Sequence, residues 1–269
     1  MPDFTSPNFT LLKFTSLGFI SPSFADVLAY NQLNTFTQLW EKKIVWFEEP
    51  NHRRGGWSGV GKLQLTNPNN EIQTFYLKKQ QNHGRRTWQN PISGEPTFRR
   101  EFVNLQLLAA NNFAAPQVAF YAESVENGQQ CAVLMTAELD GFKDMAELGE
   151  IWLPTASAIQ KKQLIKKIAN EINRFHSFSL VHRALYPKHI FVKNINNNPE
   201  IALIDLEKVR KNTSANACAI FDLAALNRHS EGWRRTERLA FLKQYLQIIK
   251  LDAAGKKLAR KIIQRATRA

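Results

Sequence analysis

The sequence predicts an α+β protein whose first part is an antiparallel sheet and whose second part is mainly helical. Five strand-like segments and one helical segment precede residue 139, and longer amphipathic helical patterns follow it. At 269 residues, the chain is long enough for two such parts. We therefore predict a strand-rich N-terminal lobe over residues 36–138 and a helical C-terminal lobe over residues 139–269.

The first 35 residues differ from the rest of the chain. Phenylalanine recurs every five residues, a spacing that gathers side chains on one face of neither a helix nor a strand. We therefore predict that residues 1–35 are a flexible N-terminal extension outside the main fold. The repeating positions are Phe4, Phe9, Phe14, Phe19 and Phe24.

The first three predicted strands cover residues 42–49, 59–66 and 71–79. Between the first two lies "PNHRRGGWSGVG", in which Gly55, Gly56 and Gly59 are the candidate phosphate-binding residues. A glycine-rich turn between strands lets backbone N–H groups approach phosphate oxygens. A plain surface hairpin has the same composition, so this stretch is weak support for a nucleotide site.

Lys78 and Glu101 form a candidate pair. Lys78 ends the third strand, and residues 95–112 have apolar side chains at helical spacing with Glu101 on the other side of that helix. A lysine paired with this glutamate is well placed to reach nucleotide phosphates. The alternative is that Lys78 is an exposed strand end and Glu101 a solvated helix residue.

Two further strands, at residues 117–124 and 130–139, complete a predicted five-stranded antiparallel sheet with one helix. The stretch "ELDGF" at residues 138–142 then has the character of a hinge. The backbone of such a hinge, beginning at Glu138, could bind the edge of an adenine ring.

The second part begins with an amphipathic helix predicted over residues 157–180. It leads into "VHRALYPKHIFVK", residues 181–193, and then into a hairpin that ends in "LIDLE". Ala184 and His189 lie five residues apart in this loop, and Asp205 follows in the hairpin.

The order of glycine turn, strand lysine, helix glutamate, hinge, "HRA" loop and "IDLE" resembles that of the bilobal protein-kinase-like fold. Within that fold, "FEEPNHRRGGWSGV", "YPKHIFVK" and "LIDLEKVR" resemble the bacterial lipopolysaccharide core (heptose) kinase family, in particular its InaA-like branch. The residues that resemble this family extend from about residue 40 to about residue 250. The resemblance rests on the order of the motifs rather than on any one of them.

The resemblance implies an activity and two cofactors. Family members transfer the γ-phosphoryl group of ATP to a sugar hydroxyl, with Mg²⁺ bound between the phosphates. The resemblance implies that Lys78 and Glu101 serve nucleotide binding and that Asp205 is the metal ligand. It also implies a lipopolysaccharide inner-core saccharide, or another phosphorylated glycolipid, as the acceptor.

Ala184 departs from this pattern, because the general base of kinases at this position is an aspartate. A methyl group cannot accept the hydroxyl proton, but the loss of a base slows transfer by about 10²–10⁴-fold without forbidding it. His189 and Glu207 are the candidate substitute bases. The alternatives are a pseudokinase, which binds ATP as a regulator or scaffold without turnover, and an alanine engineered to trap a complex.

The chain carries 36 basic and 23 acidic residues, a net charge of +13 that predicts a polyanionic partner. Residues 255–269 contain basic residues and no acid, at a spacing that suits an amphipathic helix on an anionic membrane surface. The alternative is a solvated helix. Nucleic acid ranks last as a partner, because aromatic residues do not alternate with the basic ones.

Two features predict the cellular location. The N-terminus lacks the basic start and apolar core of an export signal, and the two cysteines suit a reducing cytosol and have no zinc-site spacing. We expect a cytoplasmic protein, peripheral on the inner face of the inner membrane of a Gram-negative bacterium.

Overall fold

The computed structural model describes residues 18–47, 49–53, 55–85 and 94–268. The chain divides into two compact units. The described residues within Met1–Phe102 and Gln117–Glu138 form the first unit, and those within Val103–Pro116 and Leu139–Ala269 form the second. The described residues after Glu138 therefore all belong to the second unit. Residues 103–116, which the sequence assigns to the first lobe, belong to the second unit, where Phe113 packs edge-on against Phe175 and Phe178.

The first unit is built on an antiparallel sheet. Its strands among the described residues are β1 (Phe19–Ile20), β2 (Asn51–Arg53), β3 (Gly56–Thr66), β4 (Ile72–Gln81), β5 (Gly84–Arg85), β6 (Glu95–Pro96), β7 (Val118–Glu126) and β8 (Gln129–Ala137). Six of them form one sheet in the order β1-β7-β8-β4-β3-β2, and β5 pairs with β6. The helices of this region are α1 (Ala25–Tyr30), α2 (Phe36–Glu41) and α3 (Thr97–Ala110).

The predicted strand at residues 42–49 is wrong. Residue 48 lies outside the described residues, and residues 42–47 make one isolated bridge, between Trp46 and Gly61 of β3. The pairing partner of β3 on this side is instead β2. The sequence nevertheless has the alternation of a strand, because Ile44 and Trp46 both pack inward against β3 while their neighbours do not.

Residues 18–35 are part of the first unit rather than a flexible extension. Val27 and Leu28 of α1 are buried in the core, and the rings of Phe19 and Phe24 lie 5.2 Å from Phe102 and 5.5 Å from Phe75, measured between centroids. A five-residue spacing suits no single element, but here the chain changes from a strand to a 3-10 turn to a helix. Each ring therefore reaches the core from a different element. Phe4, Phe9 and Phe14 lie outside the described residues.

The second unit is mainly helical. Its helices are α4 (Met145–Ile151), α5 (Ala158–Ser177), α6 (Ala215–Arg228), α7 (Arg235–Tyr245) and α8 (Ala253–Thr267). Its strands are β9 (Lys143–Asp144), β10 (Leu180–Val181), β11 (Ile190–Lys193), β12 (Glu200–Leu203) and β13 (Arg210–Lys211). Helix α5 packs against α7, and α6 packs against α8. Ser157 begins α5 with a capping box to Gln160, and the apolar side chains of this helix face the core.

Helix α8 is amphipathic, as its sequence predicts. Asp252 caps its N-terminus by accepting from the Gly255 N–H, and Leu258 and Ile262 are buried. Its basic side chains are exposed: Lys256, Lys257, Arg260, Lys261, Arg265 and Arg268. Across the described part of the chain, the structure contains no helix with the length and apolar character needed to span a membrane.

Candidate functional site

An ion pair joins the half-buried Lys78 of β4 to the buried Glu101 of α3. The Lys78 ammonium donates to Glu101 Oε1 at 2.5 Å, and the Glu101 side chain is 5% exposed. Lys78 lies in a central strand, opposite Val60 of β3 and Leu134 of β8, so its backbone is fixed on both sides. The structure brings together the two residues that the sequence paired. Their contact fixes the position of the Lys78 ammonium.

The neighbouring Lys79 has a different environment. Its side chain is buried, and its ammonium donates to the carbonyls of Trp40 at 2.7 Å and Lys42 at 2.6 Å. Burial lowers the pKa of Lys79 to about 8. Because neighbouring residues of a strand point to opposite faces, one lysine meets the α3 carboxylate and the other anchors the chain after α2.

The candidate glycines take part in packing. Gly55 has a φ of +77° in the turn between β2 and β3, a conformation that side chains disfavour. A Cβ on Gly56 would lie 2.1 Å from the Gln81 carbonyl oxygen, and one on Gly59 would lie 2.8 Å from the Trp46 ring. Gly59 lies within β3 rather than in the turn. Close packing alone therefore accounts for Gly56 and Gly59, and a phosphate-binding role for these glycines stays a prediction.

Glu138 is tied to the sheet. Its carboxylate accepts from the Lys62 ammonium at 2.8 Å and the Tyr76 hydroxyl at 3.3 Å, and the Lys62 bond lowers the pKa of Glu138. Its backbone N–H donates to the Thr74 carbonyl at 2.9 Å. That N–H is therefore already used, and any adenine contact at Glu138 falls to its carbonyl.

In the second unit, the "HRA" loop is held by Asp222 of α6, a residue that the sequence analysis missed. The fully buried Asp222 carboxylate accepts from the backbone N–H groups of His182 at 2.6 Å and Arg183 at 2.8 Å. Arg183 has a φ of +67°, so the loop is held in a left-handed conformation at this residue. The signal for Asp222 is its charge inside the otherwise apolar "ACAIFDLAAL".

Two further buried side chains support Asp222. The other carboxylate contact comes from His176 of α5, whose Nε2 lies 3.0 Å from Asp222 Oδ2. Since a carboxylate only accepts, this nitrogen carries the proton, and the Tyr245 hydroxyl then donates to Nδ1 at 2.8 Å. Burial raises the pKa of Tyr245, which keeps it a donor. A chain of hydrogen bonds thus links the end of α7 to the loop.

His189, Ala184 and Asp205 lie together in the second unit. His189 Nδ1 lies 2.7 Å from the Ala184 carbonyl oxygen and 3.5 Å from Asp205 Oδ2. Because a carbonyl only accepts, Nδ1 carries the proton of the neutral ring and Nε2 keeps its lone pair. Burial lowers the pKa of His189, which favours this neutral form. Ala184 is fully buried, and its methyl group cannot accept a proton in place of the His189 ring.

Asp205 has the backbone conformation of a constrained site residue, with φ of 59° and ψ of 56°. The chain around it is fixed on both sides. His182 Nε2 lies 3.0 Å from the Ile204 carbonyl oxygen, and the buried Asn104 amide donates to the Leu206 carbonyl at 2.8 Å. Glu207, the other candidate base, is half-buried in the 3-10 turn that follows Asp205.

The Asp205 carboxylate is an oxygen ligand of the kind that Mg²⁺ prefers. The described residues contain no group of three or more histidine, cysteine or acidic side chains that could hold a metal ion by themselves. Protein-bound Mg²⁺ commonly uses only one or two carboxylates and takes its other oxygens from phosphates and water. The Nδ1–H group of His189, which faces Asp205, carries a proton and so cannot bind a metal. The Asp205 carboxylate therefore fits a metal ion whose other ligands come from a bound nucleotide.

The second unit also contains an apolar cavity of about 530 Å³ among helices α4 to α8. Leu223, Leu242 and Ile262 are among the side chains that line it, together with Trp233 and Ala259. Its volume lies within the usual range of ligand pockets, about 300–1,000 Å³. Nothing in the sequence pattern distinguishes its lining from ordinary core residues.

An antiparallel sheet with a lysine–glutamate pair, and a helical unit with an "HRA" loop anchored by a buried aspartate, define a protein of the protein-kinase-like class. Within this class, residues 37–245 match the family model described as "Lipopolysaccharide kinase (Kdo/WaaP) family". The chain belongs to this family.

Two relatives agree with this assignment. Protein InaA of Escherichia coli (strain K12) is 28% identical over 197 residues, which cover 73% of this chain and 88% of InaA. The solved structure described as "WaaP in complex with acyl carrier protein" matches with a TM-score of 0.63 and 17% identity, covering 92% of this chain and 98% of that one. At this identity the second match supports the fold alone. The predicted family and fold class are confirmed.

Proposed function

We propose that this protein is an ATP-dependent kinase that phosphorylates a hydroxyl group of a lipopolysaccharide core saccharide, with His189 as its general base. The observation that carries the proposal is the contact of His189 Nδ1 with the Ala184 carbonyl oxygen, at 2.7 Å. The residue that lacks a base side chain thus supplies the carbonyl that orients a substitute base. Membership of the lipopolysaccharide kinase family supports the class of substrate.

The chain offers residues that suit both cofactors. Lys78, oriented by Glu101, would bind nucleotide phosphates, and Asp205 would hold Mg²⁺. When bound, ATP supplies the phosphoryl group, and Mg²⁺ offsets the negative charge of the phosphates. The remaining requirement is a group that takes the proton of the sugar hydroxyl.

His189 meets that requirement in its neutral form. The lone pair of Nε2 would accept the hydroxyl proton as the O–H bond breaks, while Nδ1–H keeps its bond to the Ala184 carbonyl. The positive charge that develops on the ring would be stabilised by Asp205, whose Oδ2 lies 3.5 Å from Nδ1. Burial lowers the pKa of His189, so the ring is ready to accept a proton at neutral pH.

The test is transfer of labelled phosphate from Mg·ATP to purified core saccharide. We expect His189→Gln to lower turnover by about 10²–10⁴-fold, the usual contribution of a general base, without weakening ATP binding. Glu207→Gln is the matched control and should retain activity. Loss of activity in Glu207→Gln with retention in His189→Gln would assign the base to Glu207 instead.

The second candidate function is that of a pseudokinase, a nucleotide-binding regulator or scaffold without turnover. The buried methyl group of Ala184 favours it, because no carboxylate occupies the position of the base. ATP binding that depends on Lys78, combined with no transfer by the parent protein, would establish this function and exclude the kinase.

We further propose a peripheral location on the cytoplasmic face of an anionic membrane, where a lipid-linked core saccharide would be presented. The exposed lysines and arginines of α8 would contact the lipid headgroups. Binding to anionic vesicles that falls steeply with salt tests this contact, since screening weakens it. Nucleic acid remains the least favoured partner.

Acyl carrier protein is a second candidate partner, since the solved WaaP structure is a complex with it. We propose that the apolar cavity of about 530 Å³ in the second unit accepts the acyl chain of such a carrier. Ala259→Phe, which fills the cavity, should weaken binding of an acylated carrier by about tenfold. Ala254→Phe on the exposed side of the same helix should not. Equal binding by both variants would overturn the proposal.

A further inference from the structure

Tyr186 lies beside His189 and presents an aromatic ring that the proton transfer itself does not use. The two rings are tilted by 55°, and their centroids are 5.5 Å apart. The backbone of Tyr186 is fixed by two hydrogen bonds of 2.9 Å each. Its N–H donates to the Ala184 carbonyl, and its own carbonyl accepts from the His189 N–H. The Tyr186 ring is therefore carried by the same short turn that holds the candidate base.

His229 extends this aromatic surface. Its ring meets the Tyr186 ring edge-on, at 4.9 Å between centroids and 84° between planes. His229 caps the C-terminus of α6, about two helical turns after Asp222. Helix α6 thus supplies both the carboxylate that anchors the loop and a ring that contacts it. His229 is exposed and Tyr186 is half-buried, so a ligand can reach both side chains.

The other ring beside His189 is closed to a ligand. His182 lies 6.2 Å from His189 between centroids, with the two planes 18° apart, and it is fully buried. The Nδ1 edge of His189 is also occupied, by the Ala184 carbonyl oxygen at 2.7 Å. A ligand that approaches the Nε2 lone pair therefore has Tyr186 as its accessible aromatic neighbour.

The polar groups of Tyr186 and His229 are not committed elsewhere. Among the residues that the structure describes, neither the Tyr186 hydroxyl nor the His229 imidazole has a hydrogen-bond partner. An imidazole can both donate and accept. A sugar ring offers an apolar C–H face and several hydroxyls, and it suits an aromatic ring with a few polar groups beside it. The acceptor hydroxyl itself must come within about 2.6–3.2 Å of its base.

We propose that Tyr186 and His229 form the acceptor subsite of this protein. The C–H face of the sugar that carries the reacting hydroxyl packs on the Tyr186 ring, and a second hydroxyl of that sugar binds the His229 imidazole. The inference rests on the proposed kinase function, because it takes His189 Nε2 as the point where the reacting hydroxyl binds. It adds residues that select the acceptor by the shape of its ring.

The direct test measures saccharide binding without turnover, by calorimetric titration of purified core saccharide into the full-length protein. Tyr186→Leu should weaken binding by about tenfold, because the aromatic contact is lost, and Tyr186→Phe should bind almost as the parent does. His229→Ala should weaken binding by about fivefold. Asn216→Ala, at an exposed position near the other end of α6, is the control and should bind as the parent does.

Phosphate transfer gives the second readout. Tyr186→Leu should raise the KM for the saccharide by about tenfold with little change in kcat, whereas His189→Gln lowers kcat. Circular dichroism checks that each variant is folded. Since His229 is exposed, His229→Ala decides the question if Tyr186→Leu does not fold.

The two readouts separate this subsite from the kinase function. Equal saccharide binding by the parent, Tyr186→Leu and His229→Ala would overturn the subsite, whether or not phosphate is transferred. An absence of saccharide binding by the parent would overturn it as well. Saccharide binding that depends on Tyr186 and His229 without any transfer would support the subsite and exclude the kinase.

Discussion

The Lys78–Glu101 pair and the "HRA" loop are held in place by different kinds of contact. In the first unit, one salt bridge of 2.5 Å joins two side chains that sit on regular elements, β4 and α3. In the second unit, the loop depends on backbone N–H groups that donate to the buried Asp222, which His176 supports in turn. Both residues of the pair could be predicted from the sequence patterns of a strand and a helix. The loop instead depends on a carboxylate about 40 residues further along the chain, a contact that no local pattern marks.

The difference has an energetic consequence. Removing Lys78 takes away the ion-pair partner of the buried Glu101, which costs some stability, but the sheet and the helix keep their own backbone hydrogen bonds. Removing Asp222 leaves buried N–H groups without acceptors, and the free energy of such groups is high. The loop should therefore respond to mutation in both stability and activity, and the pair mainly in ligand binding.

The largest expected effect is that of Asp222→Asn. An amide cannot accept from both backbone N–H groups and His176 as the carboxylate does, so we expect a loss of about 3 kcal/mol in the free energy of unfolding. A displaced loop should also lower turnover by about 10²-fold. Urea unfolding and phosphate transfer measure the two effects. Asp140→Asn, at an exposed site of the same unit, is the control. Unchanged stability would contradict the anchoring role of Asp222.

The next effect separates the two neighbouring lysines. Lys78→Met should weaken ATP binding by about 10- to 100-fold, because a charged hydrogen bond to phosphate is lost. Lys79→Met should leave ATP affinity nearly unchanged, since its ammonium contacts the Trp40 and Lys42 carbonyls. Calorimetric titration of both variants makes the comparison. Equal losses of affinity would show that Lys78 acts through the fold alone.

Lys79 should also give the first unit a pH dependence of its own. Its pKa falls from the ordinary 10.5 to about 8 on folding, so between these values the unfolded chain binds more protons than the folded protein. Stability contributed by Lys79 therefore rises as the pH increases from 8 to 10.5. The difference in unfolding free energy between the parent and Lys79→Met should show this rise. A flat difference would rule out a lowered pKa.

The pH dependence of activity should report on His189. Burial lowers its pKa below the ordinary 6.5, so the neutral ring persists to lower pH than that of a free histidine. We expect kcat/KM to stay level down to pH 6.5 and to fall only below it, as the ring takes up a proton. The residual activity of His189→Gln should lack this acidic limb. A limb at or above pH 6.5 would point to another base.

The smallest effect is that of Tyr245→Phe. It removes the hydroxyl that donates to His176 Nδ1 at 2.8 Å and should cost about 1 kcal/mol of stability. Turnover should fall by about threefold if the hydrogen-bond chain to Asp222 positions the loop. Hydrogen exchange of the His182 and Arg183 amides should speed up, whereas Tyr30→Phe, at an exposed position, should change neither.

Much of the regular structure could be predicted because it depends on local periodicity. Strand β4, helix α3 and helix α5 lie close to their predicted positions, since alternation and helical spacing are properties of the chain itself. The strand predicted at residues 42–49 and the assignment of residues 18–35 to a flexible extension were wrong for a common reason. In both stretches the inward side chains find their partners in distant parts of the chain: Ile44 and Trp46 pack on β3, and Phe19 and Phe24 contact Phe102 and Phe75.

The sequence by itself determined the order of the main elements from β3 to α5, the positions of Lys78, Glu101, His189 and Asp205 along the chain, the basic face of α8, and the family. These features follow from residue types and spacings. Tertiary structure decided the anchoring of the loop by Asp222, the use of Gly59 to accommodate Trp46, and the edge-on packing of Phe24 against Phe75. Each of these depends on close packing or hydrogen bonding between segments far apart in the chain, for which local pattern contains no signal.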